Sequence, residues 1–309
     1  MAGHHRPTRR EILKVAAGAA GLALAAPVGR LAAQGASAAE VQTLADDLFV
    51  IRIPGEASVV AQTGTDGVLL VDGASAAGSD ALMKAVAGLP GGGAVATLFN
   101  THWHPEQTGS NELVGKAGRK IVAQENTRLW LTTDVTWSWS GRRFKRLPKI
   151  AQPNQTFYTT GQLDSGVRYG HIPDAAHTDG DIYVQFPKHN VLVVGDAMCG
   201  EGWPVVDYAT GGWIGGQVGA LQRLETLVDA ETRIIPARGP MLTLADLKSQ
   251  LQMYSTLYGR LTTALNRGKS PGEAVADKPA KEFEAKMGNP DEYIRRSFES
   301  LWGYLSPDA

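Results

Sequence analysis

Val95-Ala96-Thr97-Leu98-Phe99-Asn100-Thr101-His102-Trp103-His104-Pro105-Glu106-Gln107 joins a short apolar run to two histidines one residue apart. Residues 95–99 read as a buried strand bounded by glycines and polar residues. Pro105 biases His104 toward extended backbone. In an extended segment, residues two apart point to the same side, so both imidazoles can converge on one ion.

Outward from this stretch, the chain offers only three further histidines beyond residue 38, at His171, His177 and His189. His177 lies in Ala176-His177-Thr178-Asp179-Gly180-Asp181, just after an expected strand, and Asp196 closes another in Val193-Val194-Gly195-Asp196. Three neutral imidazole nitrogens plus a water make an open, catalytic type of zinc site. His171 is expected away from that site, and His189 is expected as a solvated residue of a hairpin turn.

In this order and spacing the residues resemble the metallo-β-lactamase superfamily, over roughly residue 48 to the end of the chain. Its opening motif, His-any-His-any-Asp-His, is matched by His102-Trp103-His104-Pro105-Glu106-Gln107. Its Ala-His-Thr-any-Gly-Asp motif is matched at His177, and its strand-end Gly-Asp at Asp196. Its late Pro-Gly-His-Gly-Pro reads Pro236-Ala237-Arg238-Gly239-Pro240 here. The resemblance implies an α+β fold, a four-layer αββα sandwich with a helical C-terminal tail. It also implies one metal at His102, His104 and His177, with Asp196 beside it. Zinc is the expected ion and iron the alternative.

The departures matter more than the matches. The superfamily's second metal uses four positions occupied here by Glu106, Gln107, Asp196 and Arg238, and only Asp196 is unchanged. Arginine stays protonated and cannot ligate, and Gln107 is at best a weak amide-oxygen ligand. The second site is therefore expected to be empty. Arg238 either supplies the missing positive charge, pairing with Glu106 or Asp196 or gripping a substrate carboxylate or phosphate, or forms a structural ion pair in a decayed site. In a hydrolase, a metal-bound water with its pKa lowered toward about 7 would supply hydroxide. Asp196 or Glu106 would orient it or take its proton, and Arg238 would steady the developing oxyanion. Asp72 and Asp181 are expected either to orient ligand imidazoles through their distal N–H groups or to cap turns.

Around these motifs, strands are expected at residues 48–54, 58–62, 68–71, 120–123, 155–159, 166–171, 182–186, 191–194 and 233–235. Helices are expected at 79–89, 111–117, 125–131 and 213–228. A long apolar stripe from Leu244 to Leu265 recurs at three- and four-residue spacing, with Thr243 to cap its start and Gly268 its end. Ser270-Pro271-Gly272-Glu273 has the form of a capping box. Residues 133–154 read as irregular, aromatic and basic. Their tryptophans, with Trp203, form either a lid or substrate wall, or ordinary packing. The one cysteine, Cys199, excludes an internal disulfide and is either a packing residue or within reach of the site.

The first 38 residues read as an address. Thr8-Arg9-Arg10-Glu11-Ile12-Leu13-Lys14 has the form of a twin-arginine export signal, and Ala36-Ser37-Ala38 offers a cleavage site. The apolar run between them, about 12 residues, is short of the roughly 20 a membrane span needs, so no stable anchor is expected. The implied chain is a mature domain of residues 39–309, with 243–309 a helical extension packed on it. It would be periplasmic or secreted, with only transient contact with the export machinery. That segment holds five basic residues and one acid, so the remainder of a chain of net charge −1 stands near −5. No basic stripe stands out, and nucleic acid is an unexpected partner.

The expected function is hydrolysis of a small-molecule ester, amide, lactone or thioester, β-lactams being only one member of that set. The alternatives are a mono-iron dioxygenase resembling the persulfide dioxygenases, using His102, His177 and Asp196, or a non-catalytic binding protein on the same scaffold.

Overall fold

The computed structural model describes residues 39–305. The export segment expected over residues 1–38 lies outside the described residues. Among the described residues no helix is long and apolar enough to cross a membrane.

One sheet runs, in spatial order, β1 (Glu40–Ala45), β2 (Leu48–Arg52), β3 (Val59–Gln62), β4 (Val68–Val71), β5 (Val95–Phe99), β6 (Lys120–Gln124) and β9 (Gln155–Phe157). A small hairpin, β7 (Val135–Thr136) with β8 (Arg143–Phe144), stands apart from it. The second sheet is β10 (Thr160–Gln162), β11 (Arg168–His171), β12 (Ile182–Phe186), β13 (Val191–Gly195) and β14 (Arg233–Pro236). Pairing is antiparallel from β1 to β4 and from β10 to β13, and parallel from β4 through β5 and β6 to β9 and between β13 and β14.

Alternation along the strands explains the layers. Leu48 and Val50 of β2, with Val191 and Val193 of β13, enter a core shared by the two sheets. Their neighbours Phe49 and Ile51 face outward onto Leu82 and Val86 of the Ser79–Ala87 helix. Leu192 and Val194 face outward onto the Ile214–Glu225, Leu244–Asn266 and Asp291–Leu305 helices through Leu221, Leu257 and Phe298. With both faces covered, these strands are apolar at successive positions. The result is the expected α+β, four-layer αββα sandwich with a helical C-terminal region. The expected capping box forms at Ser270 with Glu273, and the expected cap Thr243 forms a second capping box with Asp246. Gly268 takes the left-handed conformation that stops the long helix.

Three features differ from the sequence expectation. β1 was not anticipated, because its side chains are exposed or half-buried and carry no core pattern. The strand expected at 155–159 is β9 alone, and β10 at Thr160–Gln162, which joins the other sheet, is an additional strand. The segment 133–154 is not irregular throughout, since it contains the β7–β8 hairpin. Phe186 is fully buried between the sheets. Phe186→Ala should cost about 3–5 kcal/mol, read as a lower urea midpoint with an unchanged slope.

Candidate metal centre

Asp72, Asp196 and the segments bearing His102 and Arg238 follow the carboxyl ends of β4, β13, β5 and β14, where paired parallel strands leave a crevice. His102 and His104 are buried, and His104 is extended (φ −62°, ψ 151°) as Pro105 dictates, heading a short helix at Pro105–Thr108. Trp103 between them is buried too, its indole N–H donating to Thr210 Oγ1 at 3.0 Å. His177 comes from the loop between β11 and β12. Its backbone N–H donates to Asp181 Oδ2 at 2.7 Å, and the Thr178 hydroxyl donates to Asp181 Oδ1 at 2.6 Å. Gly212 presses on this loop so closely that a Cβ there would lie 2.1 Å from the His177 carbonyl oxygen.

The three rings meet nitrogen to nitrogen. His177 Nε2 is 3.1 Å from His102 Nε2 and 3.0 Å from His104 Nδ1. Each ring's other nitrogen has a partner that assigns its proton. His177 Nδ1 donates to the Val205 carbonyl at 2.7 Å, and His104 Nε2 donates to Asp207 Oδ2 at 2.9 Å. His102 Nδ1 lies 3.2 Å from Thr101 Oγ1, whose own proton goes to the Asp72 carboxylate at 2.8 Å. Burial first, then the neighbouring imidazoles, hold His102 and His104 well below the usual histidine range, so neither ring is charged. Three lone pairs therefore point at one another inside the protein. Nitrogens about 2.0–2.1 Å from a tetrahedral zinc stand about 3.3 Å apart, so the donor set fits a divalent metal that favours imidazole. Among the described residues this is the one three-membered cluster of its kind.

The other expected site residues take varied places. Asp196 is 13 % exposed, and its Oδ2 lies 3.5 Å from His102 Nε2. That oxygen accepts from Gln107 Nε2 at 3.1 Å, while Gln107 Oε1 is buried without a protein partner. Arg238, 58 % exposed, places its Nε 3.9 Å from Asp196 Oδ1. Glu106 faces neither the histidines nor Arg238 and instead stands 3.9 Å from Arg142 of the hairpin. Asp72 and Asp181 do not touch a ligand imidazole. Asp181 holds the amides of 177 and 178, which is the turn-capping alternative, whereas Asp72 holds the Thr101 amide and hydroxyl and reaches His102 Nδ1 through that hydroxyl. Desolvation pushes Asp72 up to about 8. His171 bonds the Asp179 carbonyl, apart from the cluster. His189 corrects its expectation as a solvated residue, since its side chain is 8 % exposed and lies 2.9 Å from Asp47. Cys199 is buried, its thiol donating to the Glu201 carbonyl. A groove of about 830 Å³ opens beside Arg238, running past Pro240, Ser58 and Glu56 to Arg52.

Residues 52–242 match the family model described as the metallo-beta-lactamase superfamily. The chain belongs to that superfamily. A curated relative, a probable metallo-hydrolase of Streptococcus pyogenes serotype M6, is 26% identical over 160 residues, covering 50% of this chain and 68% of its own. Among solved structures, a metallo-beta-lactamase from Pontibacter korlensis aligns with a TM-score of 0.55 at 18% identity, covering 70% of this chain and 99% of that one. The DIM-1 metallo-beta-lactamase aligns equally well, at 17% identity over 71% and 97% of the two chains. At such identities the structural likeness speaks for the fold alone.

In this superfamily member two supporting groups escaped the sequence reading. Asp207 is fully buried, accepts from the Thr210 hydroxyl at 2.7 Å and takes the His104 N–H. Val205 supplies only a carbonyl. Nothing in Pro204-Val205-Val206-Asp207-Tyr208 marks either one, because both act across more than a hundred, or nearly thirty, positions of chain. The hairpin also reaches the site. Trp137 stands edge-on to His104 at 5.3 Å and stacks on Trp139 at 4.9 Å, so these tryptophans form a wall beside the histidines. Trp203 does not join them and stacks on Tyr293. Replacing the carboxylate that orients a ligand histidine weakens metal binding about 10–100-fold. Asp207→Asn should do so here, measured by competition with a chromophoric chelator.

Proposed function

We propose that this chain is a metal-dependent hydrolase of small ester, amide, lactone or thioester substrates, with one metal held by His102, His104 and His177. The observation that carries this reading is the convergence of three lone pairs whose distal N–H groups are each engaged. Such a metal, zinc on this reading, would supply Lewis acidity toward a water and a substrate carbonyl.

The chain's own residues supply the rest. Asp196, beside His102 and steadied by Gln107, is placed to orient a water and accept its proton. Arg238 leaves most of its guanidinium to solvent at the mouth of the groove, where it can grip a substrate carboxylate or phosphate. Trp137 and Trp139 wall the other side, excluding water and offering an apolar face. Glu106 stands 3.9 Å from Arg142 rather than pairing with Arg238 or a histidine, which leaves Asp196 the better-placed carboxylate. An iron dioxygenase built on His102, His177 and Asp196 would leave His104 idle, although Asp207 holds that ring as firmly as the others are held. A β-lactam is one candidate among the acyl substrates, since fold does not fix substrate. The Thr8–Lys14 and Ala36–Ala38 stretches support action in the periplasm or outside the cell.

Elemental analysis of the purified protein should find about one metal ion per chain and none in His102→Ala. Two tightly bound ions would refute the single-metal reading. A charge-assisted hydrogen bond contributes about 1.5–3 kcal/mol. Arg238→Ala should therefore raise KM roughly tenfold or more for carboxylate-bearing esters and leave neutral esters nearly unchanged.

A further inference from the structure

The two acceptors that fix His104 and His177, Asp207 and the Val205 carbonyl, sit on one loop, residues 203–213. Its inner side is tied to the His177 segment, Asp207 N–H donating to the His177 carbonyl at 3.1 Å and Asp179 N–H to the Thr210 carbonyl at 2.8 Å. Its outer side is held by the C-terminal Asp291–Leu305 helix, which lies outside the segment 52–242 that matches the superfamily. Tyr208 donates its hydroxyl to Glu299 Oε2 at 2.7 Å, Tyr304 donates to the Gly211 carbonyl, and Tyr304 stacks on Trp213 at 4.3 Å. The same Tyr208 hydroxyl accepts from Ser138 at 3.2 Å, and its ring lies 4.7 Å from Trp139, so the hairpin wall meets the loop there as well.

The helix has a separate means of staying in place. Tyr293, Ile294, Phe298 and Leu301 bury one face in the core, whereas Glu299 is only partly buried and Tyr304 exposed. The polar contacts to the loop are thus additional to packing, and they bear on the residue next to Asp207. From this we infer that the C-terminal helix tunes the metal affinity of the three-histidine centre, with Tyr208 and Glu299 as positioning residues that hold Asp207 against His104. The inference rests on the three histidines holding a metal. Its chemistry is that of a remote support: a few tenths of an ångström at Asp207 re-aims the His104 lone pair, and metal sites are sensitive to such partners.

The test uses Co²⁺ on the full chain, with affinity read by chelator competition and geometry by the visible ligand-field spectrum. Tyr208→Phe keeps the ring on Trp139 and removes only the hydroxyl. Glu299→Ala changes a partly exposed helix position and leaves the packing face intact. Each should weaken Co²⁺ binding by about tenfold and shift the spectrum, while the metal-free melting temperature stays at the wild-type value. The double variant should lose no more than either single one, because both break the same hydrogen bond. Glu299→Gln, whose amide oxygen still accepts from Tyr208, should recover most of the affinity. Wild-type affinity and spectrum in Tyr208→Phe and Glu299→Ala would overturn the inference. Failure of the wild-type chain to bind Co²⁺ would instead remove the metal-site reading beneath it.

Discussion

Three imidazole lone pairs, those of His102 and His104 each about 3 Å from that of His177, repel one another in a setting from which water is largely excluded unless a cation lies among them. Much of the surrounding structure is organised around that requirement. A carbonyl, a carboxylate and a carboxylate-bound hydroxyl each engage one distal nitrogen, so that no ring can turn its proton inward. The carboxylates behind them are themselves buried, and desolvation raises Asp72, Asp181 and Asp207 above the ordinary aspartate range. Groups so placed favour a positive charge nearby, and a divalent metal would answer both the lone pairs and the acids.

The sandwich supplies the rigidity. β4 with β5, and β13 with β14, are parallel pairs whose carboxyl ends open on one crevice, so Asp72, His102, Asp196 and Arg238 all follow fixed strand ends. Gly195 is necessary at one of these ends. It takes a left-handed φ of 55°, and a Cβ there would sit 2.6 Å from the Thr101 hydroxyl oxygen. Thr101 is the residue that links Asp72 to His102, so the close passage of two strand ends and the setting of a ligand ring are one packing problem.

This explains which parts of the site could be read in advance. The superfamily and the αββα fold were legible because local runs carry them: apolar strands ending in Asp, and two histidines held extended by Pro105. The Glu125–Leu131 helix, the Thr243 cap and the Ser270 capping box were legible for the same reason. Asp207 and Val205 were not, since each acts only through a fold that brings distant segments together. β1 was invisible because an edge strand with exposed and half-buried faces has no core alternation to betray it. His189 shows the converse error: its position beside Lys188 suggested solvent, but tertiary packing puts it against Asp47.

The substitutions at the second-metal positions make chemical sense as a set. Gln107 donates to one Asp196 oxygen and Arg238 approaches the other, so the carboxylate is held by a neutral amide and a fixed cation. A guanidinium cannot acidify water, because it has no vacant orbital to accept a lone pair. It can balance the Asp196 charge and still present free N–H groups to an anion, since more than half of Arg238 is open to solvent. On the proposed reading, this chain has exchanged the Lewis acidity of a second ion for recognition of a substrate anion. Activation of water then falls to the three-histidine centre alone, and the precision of that centre depends on the loop that carries Asp207.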